Sequence, residues 1–488
     1  MAQNEVDLLI IGGGVNGAGI ARDAAGRGLS VLLVERDDLA QHTSSASTKL
    51  IHGGLRYLEY YEFRLVREAL AEREVLLGIA PHLIKPMRFV MPVAEEMRPA
   101  WMIRTGLFLY DHLGGRSRLP KSESVSLEGT LWGAGLAGVT RGFVYSDAWV
   151  DDARLVVLNA LAAAELGATI RTRTSFTSAR RTRDRWIATL DDGSTVSARA
   201  IVNASGPWVG QVLAELAGAH PERPPRLVKG SHILVPRVYE GEHAYILQNH
   251  DRRVVFAIPY EGNLTVIGTT DKPFEGDPSA PTIDPDEIEY LCRAVNRYFV
   301  TPIGPGDVVG SYSGVRPLFD DGAVDASAVT RDYVLKLGAS DGPQVLSAFG
   351  GKITTYRRLA EHALDELRPF LPPMGEAWTA DVPLPGGDFP DGNFDAFLLD
   401  VRRRWPFLNP DNAERLARAY GTRLHRVLGD TTSVRDLGGG LSTREVDYLV
   451  QTEWARTPED VLWRRTKVGL HTGEEVQRAV SDYMAANG

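Results

Sequence analysis

The chain opens with an unbroken apolar run, Val6 to Ile11, followed by a glycine-rich turn, a helix-compatible stretch from Val15 to Arg27 and a second apolar run, Val31 to Val34. Runs without polar alternation are what strands covered on both faces look like, and a strand–helix–strand unit of about 30 residues suits a parallel crossover. The same signature returns later. Asp152 to Glu165 reads as a helix with Gly167 near its end, and Ala200 to Asn203 as a buried strand running into Ala204, Ser205, Gly206 and Pro207. Between these two halves, residues from about Pro81 to Arg141 mix short runs with Pro and Gly, as an inserted region would. From Ser231 to Thr270 the pattern shortens to runs such as Val254 to Ile258 and Leu264 to Ile267, predicting antiparallel strands that share one sheet with the insert.

Arg368 to Gly392 carries six prolines and four glycines without periodicity, the composition of a linker. Beyond it stand helix starts. Ser442 with Glu445 predicts a capping box, and Thr457, Pro458 and Asp460 supply a cap, a first-turn proline and an acid favoured by the helix dipole. Ala100 to Tyr110 is a short, mostly apolar helix, read first as a core helix and alternatively as a surface that dips into a bilayer interface.

Composition narrows the function classes. With 488 residues the chain exceeds the ~250–300 at which single cores stop growing, so two or three domains are expected. A net charge of -9 provides no global positive field for nucleic acid, so an anionic substrate must be captured locally. The lone Cys292 excludes internal disulfides and cysteine-based metal centres, and fits a reducing compartment, the cytoplasm. Met1 to Asp7 lacks the pattern of a signal peptide, no window is apolar enough for a spanning helix, and the dispersed histidines predict no metal site.

Gly12, Gly14 and Gly17 form G-x-G-x-x-G directly after a strand and at the head of a helix, where amides and helix dipole can meet a pyrophosphate. Glu35 follows 18 residues past Gly17 at the end of the next strand, placed to accept ribose hydroxyls. The polar loop of Ser44, Ser45, Ser47, Thr48 and Lys49, continued by His52, Gly53 and Gly54, can lie along a long cofactor.

The whole segment Ser44 to Arg64 resembles the FAD-dependent, respiratory glycerol-3-phosphate dehydrogenases of bacterial type. The resemblance continues through Lys229–His232, Gly268–Asp271, Ser313–Leu318 and Gly350–Arg357, and covers nearly the whole chain. It implies an α/β fold: a discontinuous, Rossmann-like doubly wound FAD-binding domain (1–80, 142–228, 312–367), an antiparallel-sheet substrate domain (81–141, 229–311), a linker (368–392) and a C-terminal helical domain (393–488). It also implies oxidation of sn-glycerol 3-phosphate to dihydroxyacetone phosphate by hydride transfer to FAD. Electrons would pass to a membrane quinone at the cytoplasmic face of the membrane, and the enzyme would be peripheral and homodimeric.

Within that frame, Ser205, Gly206, Gly351, Lys352 and Thr354 join the cofactor set, since Gly350–Lys352 precede a helix starting near Thr354. Arg56 and Arg316 offer guanidinium forks for a phosphate, Lys352 a compact cation, and Tyr57 and Thr270 hydrogen bonds. His232 is read as the general base or, alternatively, as a histidine that only hydrogen-bonds flavin or substrate, with Arg316 and Lys352 completing the catalytic set. Three rival readings stay open: an oxidase reducing oxygen, a flavin amine or amino-acid oxidase, and a non-enzymatic flavin-binding scaffold.

Overall fold

The computed structural model describes residues 4–94, 98–216, 225–320, 332–338, 342–389 and 392–487. The first apolar run becomes strand β1 (Asn4–Ile11), the turn leads into helix α1 (Val15–Gly26), and the second run becomes strand β2 (Val31–Val34). β1 is the centre of a sheet, parallel to β2 on one side and to Thr195–Asn203 on the other, with Val345–Phe349 and Thr169–Arg171 continuing the parallel core outward. Val334–Leu337 and the hairpin Phe176–Arg181/Trp186–Leu190 add antiparallel strands.

The period of two decides what each side of β1 touches. Leu8 and Ile10 pack under α1 and the helices Asp152–Glu165 and Tyr356–Leu367, against Ala18, Ala21, Val157, Ala360 and Leu364. Leu9 and Ile11 face the opposite layer, against Trp186, Val209 and Leu213. The alanines and glycines of α1 give it the slim face that three packed helices need.

The second sheet runs in the order Lys272–Pro273, Arg226–Pro236, Leu264–Gly268, Val254–Tyr260, Ala244–Gln248, Ile84–Pro92, Arg141–Val150, Leu50–Ile51, with Gly310–Leu318 paired to Arg226–Pro236 and Glu123–Ser126 to Arg141–Val150. Its two inserted parts meet where Ala244–Gln248 lies parallel to Ile84–Pro92, Tyr245 opposite Val90. This corrects two expected boundaries. Arg141–Val150 and Gly310–Leu318, assigned from sequence largely to the cofactor domain, are strands of the second sheet, paired to Ile84–Pro92 and Arg226–Pro236.

The proline-rich segment after Arg368 has almost no regular structure, as its composition predicts, yet it is not a loose tether: Leu384 and Phe389 are buried and the Trp378 ring lies under Arg22. The C-terminal unit is helical, with Phe394–Arg404 and Pro410–Tyr420 capped by Asn393 and Asn409. The predicted capping box at Ser442 is half formed: Ser442 Oγ accepts from Glu445 N–H, but the Glu445 carboxylate turns to Arg415 and Tyr420. Ala100–Leu113 is a core helix on one face only. Ile103, Leu107 and Tyr110 are buried, while Trp101, Met102 and Phe108 are exposed.

Candidate functional site

A cleft of about 1030 Å³ runs between the two sheets, from the turn after β1 to the loop that precedes Tyr356–Leu367. At one end the backbone makes the wall. Gly12 has φ of +113°, and a Cβ there would sit 2.5 Å from the Ala204 carbonyl, so glycine is required both by conformation and by space. Gly14 is the N-cap of α1 and faces Ser44, whose Oγ accepts from Val15 N–H at 3.0 Å. Glu35 reaches the same end from β2. Its carboxylate accepts from Gly13 N–H at 2.6 Å and Asp37 N–H at 2.8 Å; burial pushes its pKa up while these amides oppose the shift. Arg36 lies over Trp208, 4.5 Å from the ring centroid, and Thr174 to Thr177 close this end.

In the middle stand Ser44, Ser47, Thr48, Ser205 and Gly206. Ser47 Oγ donates to Asp152 at 2.7 Å and Thr48 Oγ1 lies 3.0 Å from His232 Nε2.

The far end is cationic. Arg56, Tyr57, Arg316, Gly351, Lys352 and Thr354 all line it, together with His52 and His232. Lys352 Nζ is buried, lies 3.9 Å from the Tyr57 ring centroid and has no hydrogen-bond acceptor among the described residues. Arg56 Nε is likewise buried without an acceptor. Arg316 donates to the Thr270 carbonyl at 3.3 Å and lies 3.6 Å from Asp271. Burial, helped by Lys49 and Arg316, pushes His232 down to about 3; it stacks on Tyr312 and leaves Nδ1 unpartnered. Burial and the nearby Lys352 and Arg73 push His52 down to about 4, and its Nδ1 accepts from Gly54 N–H at 3.1 Å. Both imidazoles are therefore neutral in the working pH range.

Five sequence-assigned residues do not line the cleft. Gly17 packs against Gly12, where a Cβ would meet the carbonyl oxygen at 1.9 Å. Gly53 is held behind the wall, its N–H donating to Tyr110 Oη at 2.7 Å. Ser45 faces away, and Lys49 is buried with its Nζ on Asp152 at 2.9 Å and on the Ser45 carbonyl. Thr270, expected to touch substrate, turns its hydroxyl to Glu287 at 2.5 Å; its neighbours Thr269 and Asp271 line the cleft instead. The helix after Lys352 begins at Tyr356, two residues later than expected, after a turn. His52, read from sequence only as part of the loop along the cofactor, lines the cleft; Arg36, Trp208 and Thr174–Thr177 carry no sequence signal, since only the fold brings them to the nucleotide end.

Glu35, Asp37 and His42 stand close enough to share a metal ion, but their bonds already account for them: His42 Nε2 lies 2.8 Å from Asp37 and Glu35 is bound by two amides.

The bare glycine turn, the acid at the end of β2, the long cleft and the unpartnered cation at its far end fit FAD, and the comparisons agree. Residues 7–357 match the model of the FAD dependent oxidoreductases, and residues 377–487 that of the C-terminal domain of alpha-glycerophosphate oxidase. The chain is 54% identical to a glycerol-3-phosphate dehydrogenase of Pseudomonas aeruginosa, over 98% of this chain and 94% of that one. It is 52% identical to D-erythritol 1-phosphate dehydrogenase of Brucella abortus, over 99% and 98%. Among solved structures, the glycerol-3-phosphate dehydrogenase from Bacillus halodurans complexed with FAD superposes with a TM-score of 0.75 at 28% identity, covering 100% of this chain and 91% of that one. The bare turn built for a pyrophosphate and the full-length likeness lead to one conclusion: this chain is an FAD-dependent oxidoreductase of the glycerol-3-phosphate dehydrogenase family.

Proposed function

We propose that this enzyme oxidises sn-glycerol 3-phosphate to dihydroxyacetone phosphate and passes the electrons to a membrane quinone. The observation that carries the reading is that Lys352, Arg56 and Arg316 line one cleft with His52 and His232, with buried N–H groups of Lys352 and Arg56 that lack acceptors. A buried cation without a partner is costly, and the oxygens of a phosphorylated alcohol supply the missing acceptors.

FAD, when bound, supplies the two-electron acceptor for the hydride leaving C2 of the alcohol. The chain's own groups do the rest. Arg316 and Arg56 hold the phosphate by charge-assisted bonds, with Tyr57 beside them, and Lys352 stabilises negative charge growing on the C2 oxygen. The hydroxyl proton goes to one of two neutral imidazoles, His232 or His52. Because Nδ1 of His52 accepts from Gly54, its own proton sits on Nε2, which suits holding an oxygen; His232, paired to Thr48, is the base read from sequence.

Among the described residues no helix is long and apolar enough to cross a membrane. The exposed Trp101, Met102 and Phe108 on Ala100–Leu113 support peripheral contact with the cytoplasmic face, where a quinone is reached. The Brucella relative favours a second reading in which a longer polyol phosphate is the substrate.

The test is anaerobic flavin absorbance before and after glycerol 3-phosphate or D-erythritol 1-phosphate, then reoxidation by a quinone in vesicles or by air. Bleaching by glycerol 3-phosphate with quinone-dependent recovery supports the reading. Bleaching only by the four-carbon substrate moves it to the second, and rapid peroxide formation in air moves it to an oxidase.

A further inference from the structure

Among the described residues the C-terminal unit contributes no side chain to the cleft wall, yet one short segment of it holds the backs of three different wall segments. That segment runs from Asp460 through the π-helical turn Asp460–Arg465 to Lys467. The wider turn aims consecutive arginines at one acid: Arg464 Nε and both terminal nitrogens of Arg465 reach the carboxylate of Asp38, with Arg465 bonds of 2.7 and 2.8 Å. Asp38 belongs to the loop that carries Glu35 and Arg36. Asp460 accepts from Arg173 at 2.8 Å, and Arg173 immediately precedes the wall residues Thr174–Thr177. Lys467 donates to Asp151 at 2.6 Å, and the adjoining Asp152 accepts from Ser47 and Lys49 of the central loop.

Asp38, Asp152, Lys49 and Arg465 are buried, so the Arg465–Asp38 and Lys49–Asp152 bonds are shielded from water and salt, and Asp460 and Lys467 are buried on their side of the other two. Buried ion pairs are poor sources of stability but hold geometry well, because breaking one strands its partner. A second contact between the same units lies away from the cleft: Arg423 and Arg426 grip Glu165, at the far end of Asp152–Glu165.

We infer that Asp460–Lys467 is a clasp that keeps the nucleotide loop, the Thr174–Thr177 wall and the serine loop closed around FAD, so that the C-terminal unit sets how slowly the cofactor leaves. Arg464, Arg465 and Lys467 are positioning residues; none of them lines the cleft.

The test measures release of FAD from the holoenzyme by the rise in flavin fluorescence on dilution, with far-ultraviolet circular dichroism followed in parallel. Lys467→Met and the milder Arg464→Gln should each speed release about tenfold or more at temperatures where the protein stays folded. Glu165→Gln, which loosens the same two units away from the cleft, should leave release within about twofold of wild type whatever it does to Tm. Unchanged release in folded Lys467→Met or Arg464→Gln overturns the clasp, as does equal acceleration by Glu165→Gln. Wild-type protein supplies an arm that needs no variant: removing FAD should speed amide exchange across Asp460–Lys467 more than across Phe394–Tyr420, and equal change in both overturns the inference.

Discussion

The two ends of the cleft are built on opposite principles. At the nucleotide end the wall is backbone, and its charged group is already satisfied: Glu35 is bound by Gly13 and Asp37 before any ligand arrives. At the substrate end the wall is side chain, and Lys352, Arg56 and His232 each present a buried nitrogen without a partner. The difference teaches where the free energy of the fold is spent. A finished wall holds a cofactor that stays through many turnovers, whereas unpaired cations wait for a phosphate that comes and goes.

The sharpest way to break the comparison is Lys352→Met, which keeps the length of the side chain and removes its charge. If the cation serves a ligand, kcat/KM should fall about a thousandfold while flavin stays bound. The cofactor-free protein should unfold at an equal or higher temperature, since an unpaired buried ammonium has been removed. A lower Tm with retained activity would make Lys352 a structural residue.

Gly12→Ala probes the other end and should show the converse. At φ of +113° with the Ala204 carbonyl 2.5 Å from the new Cβ, the turn must shift. FAD affinity should fall about a hundredfold, while reconstitution with excess FAD restores most of kcat. Normal retention of FAD would show that the turn has slack, and that the wall is less finished than its hydrogen bonds suggest.

A gentler effect comes from acid. His52 is held at about 4 and His82 and His232 at about 3, each chiefly by burial, against an ordinary value of 6.5. With the folded value below the unfolded one, the unfolded chain binds more protons between these limits. Stability is therefore complete above pH 6.5 and is lost as pH falls toward 4. Each such histidine contributes a slope of at most about 1.4 kcal/mol per pH unit. Chemical denaturation between pH 7 and 4.5 checks this, and His82→Asn, remote from the cleft, should flatten the slope without moving the pH–rate profile. His232→Gln or His52→Gln should move that profile, whichever is the base.

The same contrast explains what could be read from the sequence. The nucleotide end was legible because it is local: an apolar run, glycines at fixed offsets, a helix and an acid all fall between Val6 and Glu35. The substrate end draws on Arg56, His232, Arg316 and Lys352, scattered over almost 300 residues, and only the family resemblance gathered them. Thr270 was placed in the right strand terminus but with its hydroxyl on the wrong side, because backbone position does not say which way a side chain turns. Arg141–Val150 and Gly310–Leu318, whose ranges fall largely in the cofactor domain on sequence, pair in the second sheet, because local sequence does not name a strand's partner. Asp38, Arg173 and Arg465 carry no shared signal at all, since their meeting is created by the fold.

The smallest effect tests how the two ends are joined. Gly53 lies behind the substrate end, three residues before Arg56, and its N–H donates to Tyr110 Oη, which in turn donates to Asp147, held by Arg73 at 2.8 Å. Tyr110 stands on the buried face of the helix whose other face exposes Trp101, Met102 and Phe108, so the loop bearing Arg56 rests on the element proposed for membrane contact. Tyr110→Phe keeps the ring and its edge contact with Tyr145, and removes only the hydroxyl. The buried Gly53 N–H then loses its Tyr110 acceptor and the Asp147 carboxylate a donor, at a cost of about 1–3 kcal/mol. Because the loss falls on the loop and not on the chemistry, it should appear as a several-fold rise in KM with kcat and flavin content near wild type. If kcat falls instead, with KM unmoved, the hydroxyl acts on the reacting end through His52, and the boundary between a finished wall and a waiting one lies nearer the flavin than the unpartnered nitrogens suggest.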